Sequence, residues 1–177
     1  MFRHFINLKT AKAQKIVFFI GKTGPAGGIL FYDKGEYSDG WRYLEAAPTD
    51  METALRWVAA SYGDNSQSFP NVTGTGTAIG TGKNNTSIIR STIANTPAAD
   101  ACVSYIVTGF ESINDWFLPS LDELILLSDY INLTTLYWSS SRLNIQNDEV
   151  YAVSSSSSNY FGWPRLNLNR VRPIRAF

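Results

Sequence analysis

The residue types that most often perform covalent catalysis are nearly missing from this chain of 177 residues, which has one histidine, His4, and one cysteine, Cys102. A Ser-His-Asp or Cys-His mechanism would have to use His4, which lies in a terminal segment of the kind that is commonly poorly ordered. One cysteine also excludes an intrachain disulfide and a cysteine-based zinc site. Cys102 falls on the apolar side of a predicted helix, so we expect it to pack in the core. The sequence therefore predicts a protein that is not an enzyme.

Two glycine-containing segments imitate nucleotide-binding motifs without meeting their requirements. Gly21-Lys22-Thr23 follows an apolar run, but a phosphate-binding loop needs a glycine five residues before its Gly-Lys pair, and Ile16 stands there. Gly74, Gly76 and Gly80 are spaced one residue too widely for a dinucleotide fingerprint, and no apolar strand precedes them. We interpret both segments as loops.

The composition favours a neutral globular domain. Hydrophobic residues make up 44% of the chain and charged residues 17%, with a net charge of zero, which argues against disorder and against a general binder of nucleic acid. Residues 1–15 form a basic N-terminal arm, which we interpret as a solvated tail. No apolar run approaches the roughly 18 residues of a membrane span, so no membrane insertion is predicted. Residues 16–177 are predicted to form a single domain.

Helical periodicity is confined to the middle of the chain and strand patterns to its two ends. Thr49 with Glu52, and Ser120 with Glu123, each match a capping box at a helix start. The predicted helices are 50–59, one starting at 84 or 85 and including Ile93, 96–109, and one following Ser120. The predicted strands are 16–20, 29–32, 41–44, 137–141, 150–154 and 170–176. This order predicts an α+β protein whose ends share one sheet, with the strand at 29–32 paired to the strand at 171–177.

Six strings, taken in order, resemble a known family. They are Gly24-Pro-Ala-Gly-Gly-Ile-Leu-Phe-Tyr32, Trp41-Arg-Tyr-Leu-Glu-Ala-Ala-Pro48, Thr77-Ala-Ile-Gly-Thr-Gly-Lys83, Asp115-Trp-Phe-Leu-Pro-Ser120 with Asp122-Glu-Leu124, Tyr137-Trp-Ser-Ser-Ser141 and Val171-Arg-Pro-Ile-Arg-Ala-Phe177. Over about residues 17–177 the chain resembles the bacterial and viral domain family named after the C-terminal domain of collagen-like adhesins (Lcl). It also resembles the variable proteins of diversity-generating retroelements.

The resemblance implies a C-type-lectin-like fold, related to that of formylglycine-generating enzymes. Such a fold has mixed antiparallel sheets, two to four helices and adjacent termini. Most members bind ligands rather than catalyse reactions, and the enzymes of this fold use a pair of cysteines that this chain lacks. In the variable proteins the diversified residues lie just upstream of the closing strand. The implied function is a receptor-binding or display protein on a cell surface, on a virion or in secreted form, with a protein or carbohydrate ligand.

The predicted binding surface lies within residues 142–169, where polar stretches separate framework apolar residues. Trp116 and Trp138 are predicted to be buried framework. Tyr160 and Phe161 are expected to be exposed anchors for a partner. The polar candidates are expected to be exposed and sparsely bonded to the core. The candidate ligand-binding residues are Arg142, Asn144, Asn147, Asp148, Ser156, Asn159, Tyr160, Phe161, Arg165, Asn167 and Asn169.

Two alternatives concern the ligand class. Residues 139–177 contain five arginines, at 142, 165, 170, 172 and 175, against two acids, Asp148 and Glu149, which would suit a sulfated sugar and so a glycosaminoglycan-binding adhesin. The oxygen-rich run at 146–149 could also hold calcium. Because the Glu-Pro-Asn, Gln-Pro-Asp and Trp-Asn-Asp motifs of calcium-dependent lectins are absent, a solvated loop is the preferred interpretation, and no cofactor is predicted.

Overall fold

The residues that the structure describes form an α+β fold with two antiparallel three-stranded sheets and three α-helices. The computed structural model describes residues 17–62, 70–144, 149–154 and 160–177. Within these ranges the strands are β1 (Ile29–Ser38), β2 (Trp41–Ala46), β3 (Tyr137–Asn144), β4 (Glu149–Val153), β5 (Tyr160–Pro164) and β6 (Ile174–Ala176). The helices are α1 (Gly82–Thr92), α2 (Pro97–Val103) and α3 (Leu121–Leu127), with a 3₁₀ turn at Ala60–Tyr62. The predicted α+β class is confirmed.

The first sheet has the order β1-β2-β6, so the predicted direct pairing of the first and last strands is wrong. Asp39 and Gly40 both have positive φ, 52° and 83°, as a two-residue hairpin turn requires. This turn pairs β1 with β2, and residues 21–23 bond along the other edge of β1. Strand β6 therefore pairs with the outer edge of β2, where Leu44 lies opposite Ala176. The ends of the domain still meet, because the Phe18 and Phe177 rings lie 5.4 Å apart.

The second sheet has the order β3-β4-β5, and β5 was not predicted. Trp138 pairs with Ala152 and Arg142 with Val150, so the three serines between them bulge out of the ladder. One apolar cluster surrounds Trp138, Trp57 and Ile89. A second cluster packs α3 between the two sheets. In it Leu124 of α3 lies with Phe31 of the first sheet and Val153 of the second.

Two of the predicted elements do not form. Residues 17–20 lie outside the strands, and the side chains of Val17 and Phe19 are exposed. Residues 50–59 contain no helix, because the backbone pairs with the chain near the C-terminus. Leu55 bridges Asn169 in both directions, and the Trp57 N–H donates to the carbonyl of Arg165 at 2.9 Å.

The remaining helix predictions hold apart from their ends. Helix α1 begins at Gly82, two residues before the earlier predicted start. Helix α2 ends at Val103 rather than 109, and Ile106 beyond it is 60% exposed. Helix α3 has the predicted capping box, since Ser120 and Glu123 bond each other's backbone N–H groups.

The basic arm at 1–15 lies outside the described residues. Among the helices of the described ranges, none combines the length and the apolar character of a membrane span.

Candidate functional site

A buried carboxylate fixes the glycine-rich loop at 24–28. Glu45 is fully buried on β2, and its Oε1 accepts the N–H groups of Ala26 and Gly28, both at 2.9 Å. The loop backbone approaches so closely that a Cβ on Gly28 would lie 1.8 Å from the carbonyl oxygen of Ala46. Only glycine fits there. The loop is therefore a structural clamp on Glu45.

Arg175 on β6 completes this clamp. Its Nη1 lies 3.2 Å from the other Glu45 oxygen, and its Nε and Nη2 donate to both oxygens of Asp115 at 2.7 and 3.1 Å. Burial alone would lower the pKa of Arg175, but the bonds to Asp115 and Glu45 raise it. The guanidinium is a charged structural link between β6, β2 and the segment before α3.

The serine bulge of β3 forms a second buried network. Ser140 donates to the carbonyl of Pro119 at 3.1 Å and accepts from the amide of Asn85 at 3.1 Å. Ser141 donates to the carbonyl of Gly76 at 2.7 Å and accepts the N–H of Leu121 at 3.0 Å. These bonds tie β3 to α1, α3 and the loop before α1.

The loop before α1 is also held by the carboxylate of Glu123, which is buried. It accepts backbone N–H groups from Ser120 at 2.7 Å, Gly80 at 2.8 Å and Gly82 at 3.4 Å. Burial raises the pKa of Glu123, and these three bonds oppose that effect. Within this predicted loop, Gly76 and Gly80 thus belong to the framework.

Replacing Ser141 with alanine should lower the free energy of unfolding by about 1–3 kcal/mol, because the buried N–H of Leu121 would lose its side-chain partner. The Gly76 carbonyl would keep its bond from the Asn85 amide. Chemical denaturation measures this loss. Ser104→Ala is the control, since Ser104 is exposed and its hydroxyl bonds only the carbonyl of Asp100. Equal losses in the two variants would contradict the structural role of Ser141.

A third network joins β3 to the segment after β2. The Tyr137 hydroxyl donates to Asp50 Oδ2 at 2.5 Å, and Arg172 Nη1 donates to Asp50 Oδ1 at 2.7 Å. Burial, followed by the bond to Asp50, raises the pKa of Tyr137 from 10.0 to about 12. The phenol therefore stays protonated in the folded protein well above its ordinary range.

This raised pKa predicts a dependence of stability on alkaline pH. The folded state binds the phenol proton more tightly than the unfolded chain, so the stabilisation is complete below pH 10 and is lost as pH rises through about 12. Denaturant unfolding across that range should show a shallower decline for Tyr137→Phe than for the unaltered protein. Parallel declines would show that Tyr137 does not contribute.

The structure divides the eleven predicted site residues into four groups. Tyr160, Phe161 and Asn167 are exposed, and Arg142 is partly exposed. Arg165 and Asn169 are buried, at 1% and 5% exposure. Asn144 is described by its backbone, which lies opposite Glu149. Asn147, Asp148, Ser156 and Asn159 lie outside the described residues, as does most of the possible calcium-binding run at 146–149.

The burial of Arg165 and Asn169 corrects the prediction that they are exposed. Their segment lies along residues 51–58, and the Arg165 carbonyl accepts the N–H groups of Trp57 and Val58. The Arg165 guanidinium lies 5.6 Å from the centre of the Trp57 ring. Burial, followed by the charge of Arg142, lowers the pKa of Arg165 to about 10. Both residues belong to the framework.

Arg142 is also more firmly held than predicted. Its backbone N–H donates to the Thr75 hydroxyl at 3.1 Å. Its Nη1 donates to the Val72 carbonyl at 2.8 Å and to the Asn71 side chain. Burial lowers the pKa of Arg142. It links the end of β3 to the loop before α1 and is not a sparsely bonded surface residue.

An aromatic patch remains exposed on the second sheet; it consists of Leu143, Tyr151, Tyr160 and Gly162. Tyr151 lies opposite Gly162, and the Tyr151 and Tyr160 rings meet edge-on with centroids 5.6 Å apart. Leu143 lies over Gly162, where a Cβ would come within 2.3 Å of its Cδ2 atom. Tyr160 is 53% and Leu143 is 38% exposed. The patch is a shallow apolar surface with phenol hydroxyls.

Phe161 lies on the other face of β5, because neighbouring strand residues alternate. It is opposite buried Ala152, yet 47% of it is exposed. The exposure predicted for Tyr160 and Phe161 is thus confirmed, and because β5 lies at the edge of its sheet, a partner that covers this edge can contact both rings. Sequence reasoning missed Tyr151 and Leu143, which only the pairing of β4 with β5 and the bulge of β3 bring to the patch.

The arginines near the C-terminus do not form an exposed cationic surface. Arg165 and Arg175 are buried, and Arg172 is paired with Asp50. Arg170 donates to the carbonyl of Glu52. The arginine side chains that suggested a sulfated ligand are therefore largely buried, ion-paired or hydrogen-bonded within the described residues.

His4 lies outside the described residues, and the cysteine and the two tryptophans predicted as framework are buried. Cys102 is fully buried, and burial raises the pKa of its thiol. Trp116 and Trp138 are buried, as predicted, at 2% and 0% exposure. In the described ranges no group of three or more His, Cys, Asp and Glu side chains is arranged to hold a metal ion.

Comparison with known proteins adds no assignment to these observations, since no protein-family model and no curated protein matches the sequence.

Proposed function

We propose that this protein is a ligand-binding module of C-type-lectin-like fold that presents the aromatic patch and Phe161 to a partner on a cell surface. The six strings support the fold proposal through their resemblance to the Lcl domain family and to the variable proteins of retroelements. The α+β architecture is compatible with it. In this proposal the protein binds and does not catalyse.

The observation that favours this function most is a concentration of exposed apolar side chains on one sheet. Leu143, Tyr160, Phe161 and Leu168 are 38–55% exposed, and all lie in or directly after the second sheet. Tyrosine and phenylalanine supply large, stiff contact area at low cost in conformational entropy, which makes them common anchors in binding surfaces. Apolar side chains exposed together mark an interaction surface more often than isolated ones do.

The framework around the patch supports the same function. The clamp on Glu45, the serine bulge and the Tyr137–Asp50–Arg172 network use neither the side chain of Tyr160 nor that of Phe161. A surface whose side chains do not hold the fold can change without unfolding the protein. This separation is what a display protein with variable residues needs.

The ligand class we favour is a protein rather than a sulfated polysaccharide. A sulfated chain would need free cationic side chains, and the five arginines near the C-terminus all bond or pack within the described fold. The patch offers instead apolar area with phenol hydroxyls, which suits the side chains of a protein partner.

Binding of labelled protein to arrayed cell-surface proteins and arrayed glycans would test the proposal. A partner found in this way should lose most of its affinity for Tyr160→Ala and for Phe161→Ala, since anchor truncations typically cost about 2 kcal/mol or more. Tyr37→Ala is the matched control, because Tyr37 on β1 is 70% exposed but lies on the other sheet. Affinity that is unchanged in the first two variants, or equally reduced in the control, would overturn the proposed site.

A further inference from the structure

A separate groove of about 390 Å³ lies between the β1–β2 hairpin and the start of α1. Trp41, Leu44 and Phe117 supply its apolar lining. Its size is at the lower end of the range for small-molecule sites. No residue of β4 or β5 lines it, so the groove is distinct from the aromatic patch.

The indole of Trp41 is held in place on the side of this groove. The hairpin turn at Asp39-Gly40 fixes where β2 begins, and the ammonium of Lys34 lies 4.1 Å from the centre of the indole. Gly80 approaches so closely that a Cβ there would lie 2.9 Å from the ring, and its φ of 92° also favours glycine. A rigid indole is ready to contact a ligand without a further loss of side-chain entropy.

The rim of the groove is polar and carries both donors and acceptors. Lys83, Asn84 and Ser87 line it from the first turns of α1, and Asp39 lines it from the hairpin turn. All four residues are exposed. They provide an ammonium, an amide, a hydroxyl and a carboxylate, so the rim can both donate hydrogen bonds to a ligand and accept them.

We propose that this groove binds a small saccharide. The carbon-bound hydrogens of a sugar ring would pack on Trp41, and its hydroxyls would bond to Asn84, Ser87 and Asp39. A purely apolar ligand would cover these polar groups without replacing their bonds to water. The Asp39 carboxylate pairs with the Lys34 ammonium at 3.6 Å, so these two charges balance beside Trp41. The site goes beyond the proposed function and does not depend on it.

The test follows the indole N–H resonance of Trp41 by NMR in isotope-labelled protein, assigned with Trp41→Phe. Galactose, mannose, N-acetylglucosamine and lactose are each titrated to about 20 mM, which detects even millimolar affinity. At least one sugar should shift Trp41 together with the backbone signals of Asn84 and Ser87. Asn84→Ala and Ser87→Ala should each weaken that affinity by about threefold to tenfold, through the loss of one hydrogen bond.

Ser91→Ala is the matched control. Ser87 and Ser91 are both exposed on α1, and each hydroxyl donates to a carbonyl of the helix, but only Ser87 lines the groove. Unchanged affinity in Ser91→Ala and in Tyr160→Ala would support the groove. The inference is overturned if none of the sugars shifts Trp41, if Ser87→Ala and Ser91→Ala weaken binding equally, or if the shifts centre on Tyr151 and Tyr160.

Discussion

Replacing Arg175 with alanine is expected to lower the free energy of unfolding by about 3–5 kcal/mol, because the change leaves a buried carboxylate without its counter-charge. Glu45 has no exposed surface, and Arg175 bonds both Glu45 and Asp115. In the variant Glu45 would keep the two N–H groups of the glycine loop but no cation. Urea denaturation with an unchanged m-value would measure the loss.

Arg42→Ala is the matched control for this prediction. Arg42 binds Asp33 through the same pair of guanidinium nitrogens, with distances of 2.7 and 2.9 Å, but the pair is much more exposed to solvent. Exposed ion pairs contribute little to stability. The loss in Arg42→Ala should therefore be far smaller, and similar losses in the two variants would show that Arg175 is not a buried structural link.

Replacing Trp138 with alanine is also expected to cost about 3–5 kcal/mol, the usual range for truncating a buried large aromatic residue. Trp138 is fully buried in the cluster with Trp57 and Ile89, and its indole N–H donates to the carbonyl of Leu55 at 2.7 Å. The variant would thus leave a cavity and remove one bond to the Leu55 carbonyl, which would keep its bond from the backbone N–H of Asn169. Thermal and denaturant unfolding would both report the loss.

Phe161→Ala removes a comparable ring from a half-exposed position and serves as the comparison for Trp138→Ala. Its effect on stability should be much smaller, because a large part of the side chain already contacts water. A Trp138→Ala protein that unfolds like the unaltered one but has lost its partner would place Trp138 in the binding surface and contradict the assignment as framework.

Two capping boxes in the sequence show what local patterns can and cannot predict. Ser120 and Glu123 precede apolar residues at helical spacing, and helix α3 forms there with the predicted bonds. Thr49 and Glu52 have the same spacing, but the Thr49 hydroxyl lies 3.1 Å from that of Tyr105, and no helix follows. Backbone pairing with residues 165–171 determines the conformation of that segment, and local sequence does not report a partner more than 100 residues away.

The same long-range pairing explains the mixed outcome at the predicted site. The exposure of Tyr160 and Phe161 followed from aromatic residues in a polar stretch, and it is confirmed. Arg165 and Asn169 have the same polar character, yet they are buried, because their segment bonds to Leu55 and Trp57. A buried arginine in a polar run has no local signature; its exposure depends on the segment packed against it.

The glycine segments at 21–23 and 74–80 lie in loops, as predicted, but the contacts of their glycines were not predictable. Gly80, for example, lies against the Trp41 ring of β2 and donates its N–H to Glu123 of α3. The Asp39-Gly40 turn was visible in the sequence and would have predicted the β1–β2 hairpin.

The central claim is that the residues of the binding surface are separable from those that hold the fold, and two libraries in one short segment test it directly. One library randomises the exposed positions Tyr160, Phe161 and Asn167, and the other randomises the buried positions Arg165 and Asn169. Thermal unfolding of individual members is the measurement. Most members of the first library should unfold cooperatively near the temperature of the unaltered protein, since exposed changes usually cost within about 0.5 kcal/mol each. Most members of the second should be strongly destabilised. If the first library fails to fold as often as the second, Tyr160, Phe161 and Asn167 are structural, and the account of a binding surface on an independent framework is wrong.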